Sequence, residues 1–208
     1  MQRKQYEASL AHLREIKQLK NIQLRDRKPP FKRPSDPFQS LIRSIIYQQL
    51  SGKAAATILA RFLTLFPNDG DPAGRYPTTQ ELLKLTDAKF KKAGVSTQKA
   101  GYLRDLAKRF LDGTIDPSRF KKMTDEEIRE HLIVVKGIGR WTVDMFLMFT
   151  LFRPDVLPTG DLGIQKGFQK LFKLKFMPDP ETMEHLSKKW SPHRTVACWY
   201  LWELVDGF

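Results

Sequence analysis

The chain has 208 residues, enough for one compact domain or two small lobes, and its 41% hydrophobic and 28% charged content excludes a disordered or collagen-like polymer. No apolar run reaches the ~18 residues needed to cross a bilayer, and the N-terminus lacks the continuous apolar core of a secretory signal. One cysteine, Cys198, excludes an internal disulfide, a cysteine-held cluster and an all-cysteine zinc site, and the four histidines show no metal-binding spacing. A net charge of +13 is concentrated in two segments, +7 in residues 1–33 and +6 in residues 89–110. Such clustering suits a polyanion, although a solvated basic face has the same composition.

In chain order the pattern is helical throughout. Leu10, Leu13, Ile16, Leu19 and Ile22 recur at helical spacing and predict a helix from Tyr6 to Leu24, followed by a proline-marked loop from Lys28 to Pro34. Asp36-Pro37 is an N-cap with proline in the first turn and predicts a helix to about Gln48. Leu50-Ser51-Gly52 breaks it, and Lys53 to Phe66 reads as the next helix. A loop from Pro67 to Pro77 precedes two capping boxes, Thr78-x-x-Glu81 and Thr124-x-x-Glu127. Asp179-Pro180 predicts a helix ending near Trp190, and Arg194 to Val205 one that is apolar on most sides and so buried. No segment alternates as a strand does. About ten helices are expected, in two lobes with a cleft between them.

Leu132 to Val143 reads as helix, Gly137-Ile138-Gly139 turn, helix. Glycine at both turn positions permits positive φ and close approach of another backbone. The second helix would begin at the turn and present unpaired N–H groups and its positive dipole end, a small anion site. A tight helix–helix corner produces the same G-x-G. Asp161 follows in Val156-Leu157-Pro158-Thr159-Gly160-Asp161-Leu162-Gly163-Ile164, where it reads either as the N-cap of a helix or as a functional carboxylate. Asp144 is the competing carboxylate and is expected to face solvent or the hairpin.

The stretch from Lys136 to Ile164 resembles the helix-hairpin-helix, Gly/Pro-rich loop and aspartate of the helix-hairpin-helix DNA glycosylase superfamily. Gly-Ile-Gly-Arg-Trp-Thr, Tyr47-Gln48-Gln49-Leu50-Ser51 and Arg194 to Trp202 are similar to its alkyladenine (DNA-3-methyladenine glycosylase II) branch, in a short form without the N-terminal β domain of some bacterial members. The resemblance runs from about Asp36 to Trp202 and implies an all-α fold of two helical lobes with a DNA-binding cleft. It divides the chain into a basic helical segment, residues 1–35, and a glycosylase domain, residues 36–208. The implied partner is double-stranded DNA with a damaged base, met by a monomer inside the cell and away from membranes. No cofactor is required, and no metal is expected beyond a structural Na or K ion on the carbonyls of Ile133, Val135 and Ile138.

The same resemblance makes Asp161 the catalytic residue. Breaking an N-glycosidic bond develops positive charge on the sugar, which a fixed carboxylate stabilises. An N-methylated purine is cationic and leaves neutral, so aromatic walls and one carboxylate suffice. Trp141, Trp202, Tyr47 and Met145 are the candidate pocket, and Trp199 is expected to be core. The lysine nucleophile of the lyase branch is replaced by Trp141, which implies a monofunctional enzyme. Gly137, Ile138, Gly139, Arg140 and Thr142 would hold phosphate. Gln49, Leu50, Ser51, Gly52 and Lys53 form the turn that enters the duplex, with Leu50 or Ser51 as the plug, and Gln48 and Gln49 either hydrogen-bond the orphaned partner base or pack in the hairpin. Gly94, Ser96 and Lys99 make a second phosphate grip. The alternatives are a helix-hairpin-helix DNA-binding module without chemistry, and a glycosylase for another damaged base.

Overall fold

The computed structural model describes residues 3–20, 36–67, 71 and 73–206. Among these residues there are eleven α-helices and no β-strand: α1 (Arg3–Arg14), α2 (Pro37–Tyr47), α3 (Gly52–Leu63), α4 (Thr79–Leu83), α5 (Asp87–Ala93), α6 (Thr97–Leu111), α7 (Asp125–Ile133), α8 (Arg140–Phe149), α9 (Leu162–Phe172), α10 (Pro180–Ser187) and α11 (Arg194–Asp206). The predicted caps form. The Asp36 carboxylate accepts the Gln39 N–H at 2.9 Å, that of Asp179 accepts the Thr182 N–H at 2.7 Å, and both capping boxes are complete. Each such cap contributes about 1 kcal/mol.

Three boundaries differ from the sequence reading. α1 stops at Arg14, and i→i−3 bonds (Ile16 N–H to Leu13 at 3.2 Å, Leu19 N–H to Ile16 at 2.9 Å) wind the chain more tightly, so the buried Leu13, Ile16 and Leu19 share a face at a spacing of three. Ile22, Leu24 and the loop from Lys28 to Pro34 lie outside the described residues. α3 ends at Leu63 in similar turns that still bury Phe66, and α10 ends at Ser187 before a 3₁₀ turn, Lys188–Trp190.

The helices form two compact units, and the division falls between Val143 and Asp144, inside α8. In the unit of α2 to α7, the amphipathic α2 buries Phe38, Leu41, Ile42, Ile45 and Ile46, with Phe62 of α3, Phe90 of α5 and Leu103 and Leu106 of α6 also in the core. In the unit of α1 and α9 to α11, Trp190 is buried against Phe168 and Phe172 with ring centroids 4.9 and 6.2 Å away. α11 is apolar on most sides, as expected, and buries Val196, Ala197, Cys198, Tyr200 and Leu201. The N-terminal segment joins this unit: Tyr6 and Tyr200 hydroxyls share a 2.7 Å hydrogen bond, and the Ser9 hydroxyl lies 3.0 Å from His193 Nδ1. No helix among the described residues is long and apolar enough to cross a membrane.

Candidate active site and nucleic-acid interface

In the α2–α7 unit the hairpin joins α7 to α8. Gly137 takes φ +79°, and a Cβ there would stand 2.1 Å from the Tyr102 ring, so glycine is required twice over. Gly139 needs neither concession: its φ is not positive, and nothing lies within 4 Å of where a Cβ would be. The first turn of α8 starts beside that open side, with N–H groups that the helix itself cannot pair. Ile138 and Thr142 have buried side chains, which leaves only their backbone for an anion. Arg140 is exposed, and its guanidinium reaches Glu126 at 3.2 Å. An exposed pair of this kind is worth little and exchanges readily for a phosphate.

The turn between α2 and α3 is built residue by residue. Gln48 turns inward, and its side-chain amide donates to the Gly137 carbonyl at 2.7 Å. Gln49 takes φ +56°, and Leu50 follows with 39% of its surface exposed. The Ser51 hydroxyl caps α3 by accepting the Ala54 N–H at 3.4 Å. Gly52 and Lys53, exposed, begin α3. Tyr47 carries the Arg43 guanidinium over its ring at 4.2 Å, so one face of this candidate wall is covered.

The second predicted grip is a true turn, since Gly94 closes α5 at φ +88° and Ser96 caps α6. Its lysine points elsewhere. Lys99 Nζ donates to the carbonyls of Ile46 and Gln48, at 2.8 and 2.7 Å, and burial holds its ammonium below the ordinary lysine value. A lysine so engaged reaches a phosphate only by releasing the end of α2. Arg104 is likewise occupied by Asp87 and the Leu85 carbonyl, and Arg109 by Asp105. The basic segment around α6 is therefore partly internal scaffolding, while Lys89, Lys91, Lys92 and Lys108 are exposed.

In the other unit, the loop before α9 is tied to the start of α11. Thr195 Oγ1 donates to the Arg153 carbonyl at 2.7 Å and accepts the Val156 N–H at 3.0 Å. Asp155 accepts from Arg194 Nε and Nη2 at 2.9 and 3.0 Å. Burial raises the Asp155 carboxyl, but Arg194 and Ser191 more than offset it, so it lies below the usual value. At the end of this braced loop, half-buried Asp161 caps α9, its Oδ1 accepting the Ile164 N–H at 2.9 Å. The same oxygen accepts Trp202 Nε1–H at 2.9 Å. Two glycines of α9 permit this. A Cβ at Gly167 would stand 2.7 Å from Leu201 Cβ, and one at Gly163 would stand 2.8 Å from the Trp202 ring. Trp202 is also stacked on Phe149, with centroids 6.0 Å apart at 28°.

Asp144 is buried (3% exposed), so of the two expected directions it does not take the one toward solvent. Burial raises the Cys198 thiol, with Arg194 opposing and the Asp161, Asp144 and Asp155 carboxylates adding to the rise. Trp141 stands in the first turn of α8 with 49% of its surface exposed, and Met145 is half-buried one turn on. Trp199 is half-buried with its indole nitrogen buried and unpartnered, closer to core than to a wall. No three His, Cys, Asp or Glu side chains gather as a metal site among the described residues.

A protein-family comparison matches residues 42–193 to the HhH-GPD superfamily of base excision DNA repair proteins, a span that contains the hairpin and Asp161. The chain belongs to this superfamily. The DNA-3-methyladenine glycosylase 1 of Schizosaccharomyces pombe is 36% identical over 169 residues, 81% of this chain and 72% of the relative. The DNA-3-methyladenine glycosylase of Saccharomyces cerevisiae is 33% identical over 205 residues, covering 82% of this chain and 67% of the relative. The S. pombe 3-methyladenine DNA glycosylase (Mag1), solved in complex with abasic DNA, superposes with a TM-score of 0.81 at 32% identity, covering 96% of this chain and 97% of that one.

Sequence reasoning for this HhH-GPD member missed two features. The first is the indole N–H on Asp161, for which the glycines of α9 at a spacing of four were the available signal. The second is the face of α6 behind the hairpin, where Lys99 holds the end of α2 and Tyr102 and Asp105 hold the Gly137 hairpin. Their spacing of three was legible as one helix face, but a basic segment invites reading every cation as a DNA contact.

Proposed function

We propose that the protein is a monofunctional DNA glycosylase, a hydrolase that excises N-methylated purines of the 3-methyladenine type from duplex DNA in base excision repair. The observation that carries this reading is Asp161, whose carboxylate is held by the Ile164 N–H and the Trp202 indole N–H, within the span that matches the HhH-GPD superfamily. The hairpin around Gly139 and the exposed lysines of α5 hold phosphate, blind to sequence because the donors are backbone amides and point charges. Leu50, apolar and exposed, fills the gap left by the flipped base, since the Ser51 hydroxyl is already engaged as a cap.

In the reaction the C1′–N bond breaks with its electron pair leaving on the base, which departs neutral because it was cationic. The Asp161 carboxylate stabilises the positive sugar, and water bonds to C1′ and loses its proton, with Asp161 beside it as acceptor. The aromatic candidates for stacking on a cationic base, Trp141, Trp202 and Tyr47, together with Met145, are proposed on the family resemblance alone. A sodium or potassium ion on the carbonyls of Ile133, Val135 and Ile138 belongs to the same proposal. The Val135 carbonyl takes the Ile138 N–H at 3.0 Å and keeps a second lone pair for such an ion. The working unit is proposed to be a monomer on damaged double-stranded DNA.

The test is incubation with duplexes that carry different single lesions, followed by alkali to cut abasic products. Release from duplexes holding 3-methyladenine or another N-methylated purine is expected. Release confined to oxidised bases, or none at all, would overturn the proposal.

A further inference from the structure

We propose that Lys99 is a positioning residue that locks the turn carrying Leu50 to the Gly137 hairpin, so that the part that enters the duplex and the part that grips the strand move as one. This rests on the base-flipping reading above. The last carbonyls of a helix have no partner within it, and at the end of α2 the Lys99 ammonium takes two, those of Ile46 and Gln48, at 2.8 and 2.7 Å. The residue it holds, Gln48, donates its side-chain amide to the Gly137 carbonyl at 2.7 Å. The next residue, Gln49, takes φ +56°, a left-handed conformation that persists where its surroundings over-determine it. Leu50 stands exposed directly after this strained position.

The hairpin is held from the same helix. Tyr102, three residues along α6 from Lys99, fills the space under Gly137, and Asp105, three further on, accepts the Lys136 N–H at 2.9 Å. One face of α6 therefore sets both turns, and the Gln48 amide closes the link between them. A side chain that must displace a base gains from being ordered beforehand, because ordering it during entry would be charged against flipping. The phosphate-ligand alternative makes a different demand, since it requires Lys99 to release α2.

The deciding variant is Lys99→Met, equal in length and without charge, compared with Gln48→Ala and the double variant. Three readouts apply: the salt dependence of binding to an undamaged duplex, the fluorescence of 2-aminopurine beside a lesion at saturating protein, and single-turnover excision. The salt slope is expected to stay as in the wild type, while the 2-aminopurine signal and excision fall together by tenfold or more. Gln48→Ala should show the same loss and the double variant little more, as members of one linkage do. A slope flattened by about one would make Lys99 a phosphate ligand and overturn the proposal. Excision by Lys99→Met within twofold of wild type would also overturn it. Should Lys99→Met fail to fold, Gln48→Ala decides alone, and wild-type excision by it refutes the linkage. Loss of all excision in the wild-type protein would instead defeat the glycosylase reading, and the 2-aminopurine signal would still report on Lys99.

Discussion

At the scale of single residues, the proposed chemistry depends on how Asp161 is held. Its Oδ1 receives two donors, the Ile164 N–H and the Trp202 indole N–H, each at 2.9 Å. Trp202 therefore holds Asp161 as well as being proposed as an aromatic wall, and the two roles separate by substitution. Trp202→Phe keeps a ring to stack on Phe149 but removes the N–H. A hydrogen bond to a charged group contributes ~1.5–3 kcal/mol, so excision should fall about tenfold to a hundredfold at nearly unchanged DNA affinity. Single-turnover rates check this, and a rate within twofold of wild type would leave Trp202 as a wall alone. Gly163→Ala should give a similar loss, because its Cβ would stand 3.0 Å from the indole nitrogen and 3.1 Å from Asp161 Oδ1 and push the two apart.

At the scale of elements, the hairpin depends on Gly137 and not equally on Gly139. Gly137→Ala combines left-handed strain of ~1–2 kcal/mol with a collision against Tyr102, so it should lower the melting temperature and weaken binding to duplex of any sequence. Gly139→Ala, where nothing stands within 4 Å, should melt near wild type and lose binding only through crowding a phosphate. Thermal melts with binding titrations separate the two. On α5, Lys91 and Lys92 are exposed. Neutralising both should reduce the slope of log K against log salt by about two, and an unchanged slope would mean that α5 faces away from DNA.

This scale also shows how far sequence carries. Helix starts were legible because Asp36, Thr78, Thr124, Asp161 and Asp179 cap in the way their side-chain oxygens allow. Helix ends were less legible: after Arg14 and Leu63 the chain continues in tighter turns that bury the same residues. Partners distant in sequence were not legible at all. Nothing in a basic run separates Lys99, which caps α2, from Lys91, which faces solvent, and burial of Asp144 depends on packing that local pattern does not encode.

At the scale of the whole molecule, the charge surplus and the reaction meet on one substrate. The net charge of +13 favours a polyanion, and neutralised phosphates should make affinity fall steeply with salt. With Trp141 where lyase relatives are expected to carry an amine, the products should be a released base and an intact abasic strand. Borohydride added during turnover should trap no protein–DNA adduct, and nicks should appear only after alkali. An adduct mapped to Lys136 or Lys166 would return a lyase mechanism. The proposed catalytic role of Asp161 is decided by single-turnover excision of an N-methylated purine from duplex DNA by wild type and Asp161→Asn. Asparagine keeps the size, the cap and an acceptor for Trp202, so folding and affinity should stay within a few-fold. Base release is expected from the wild type and essentially none from the variant. Near-normal release by Asp161→Asn would contradict that role.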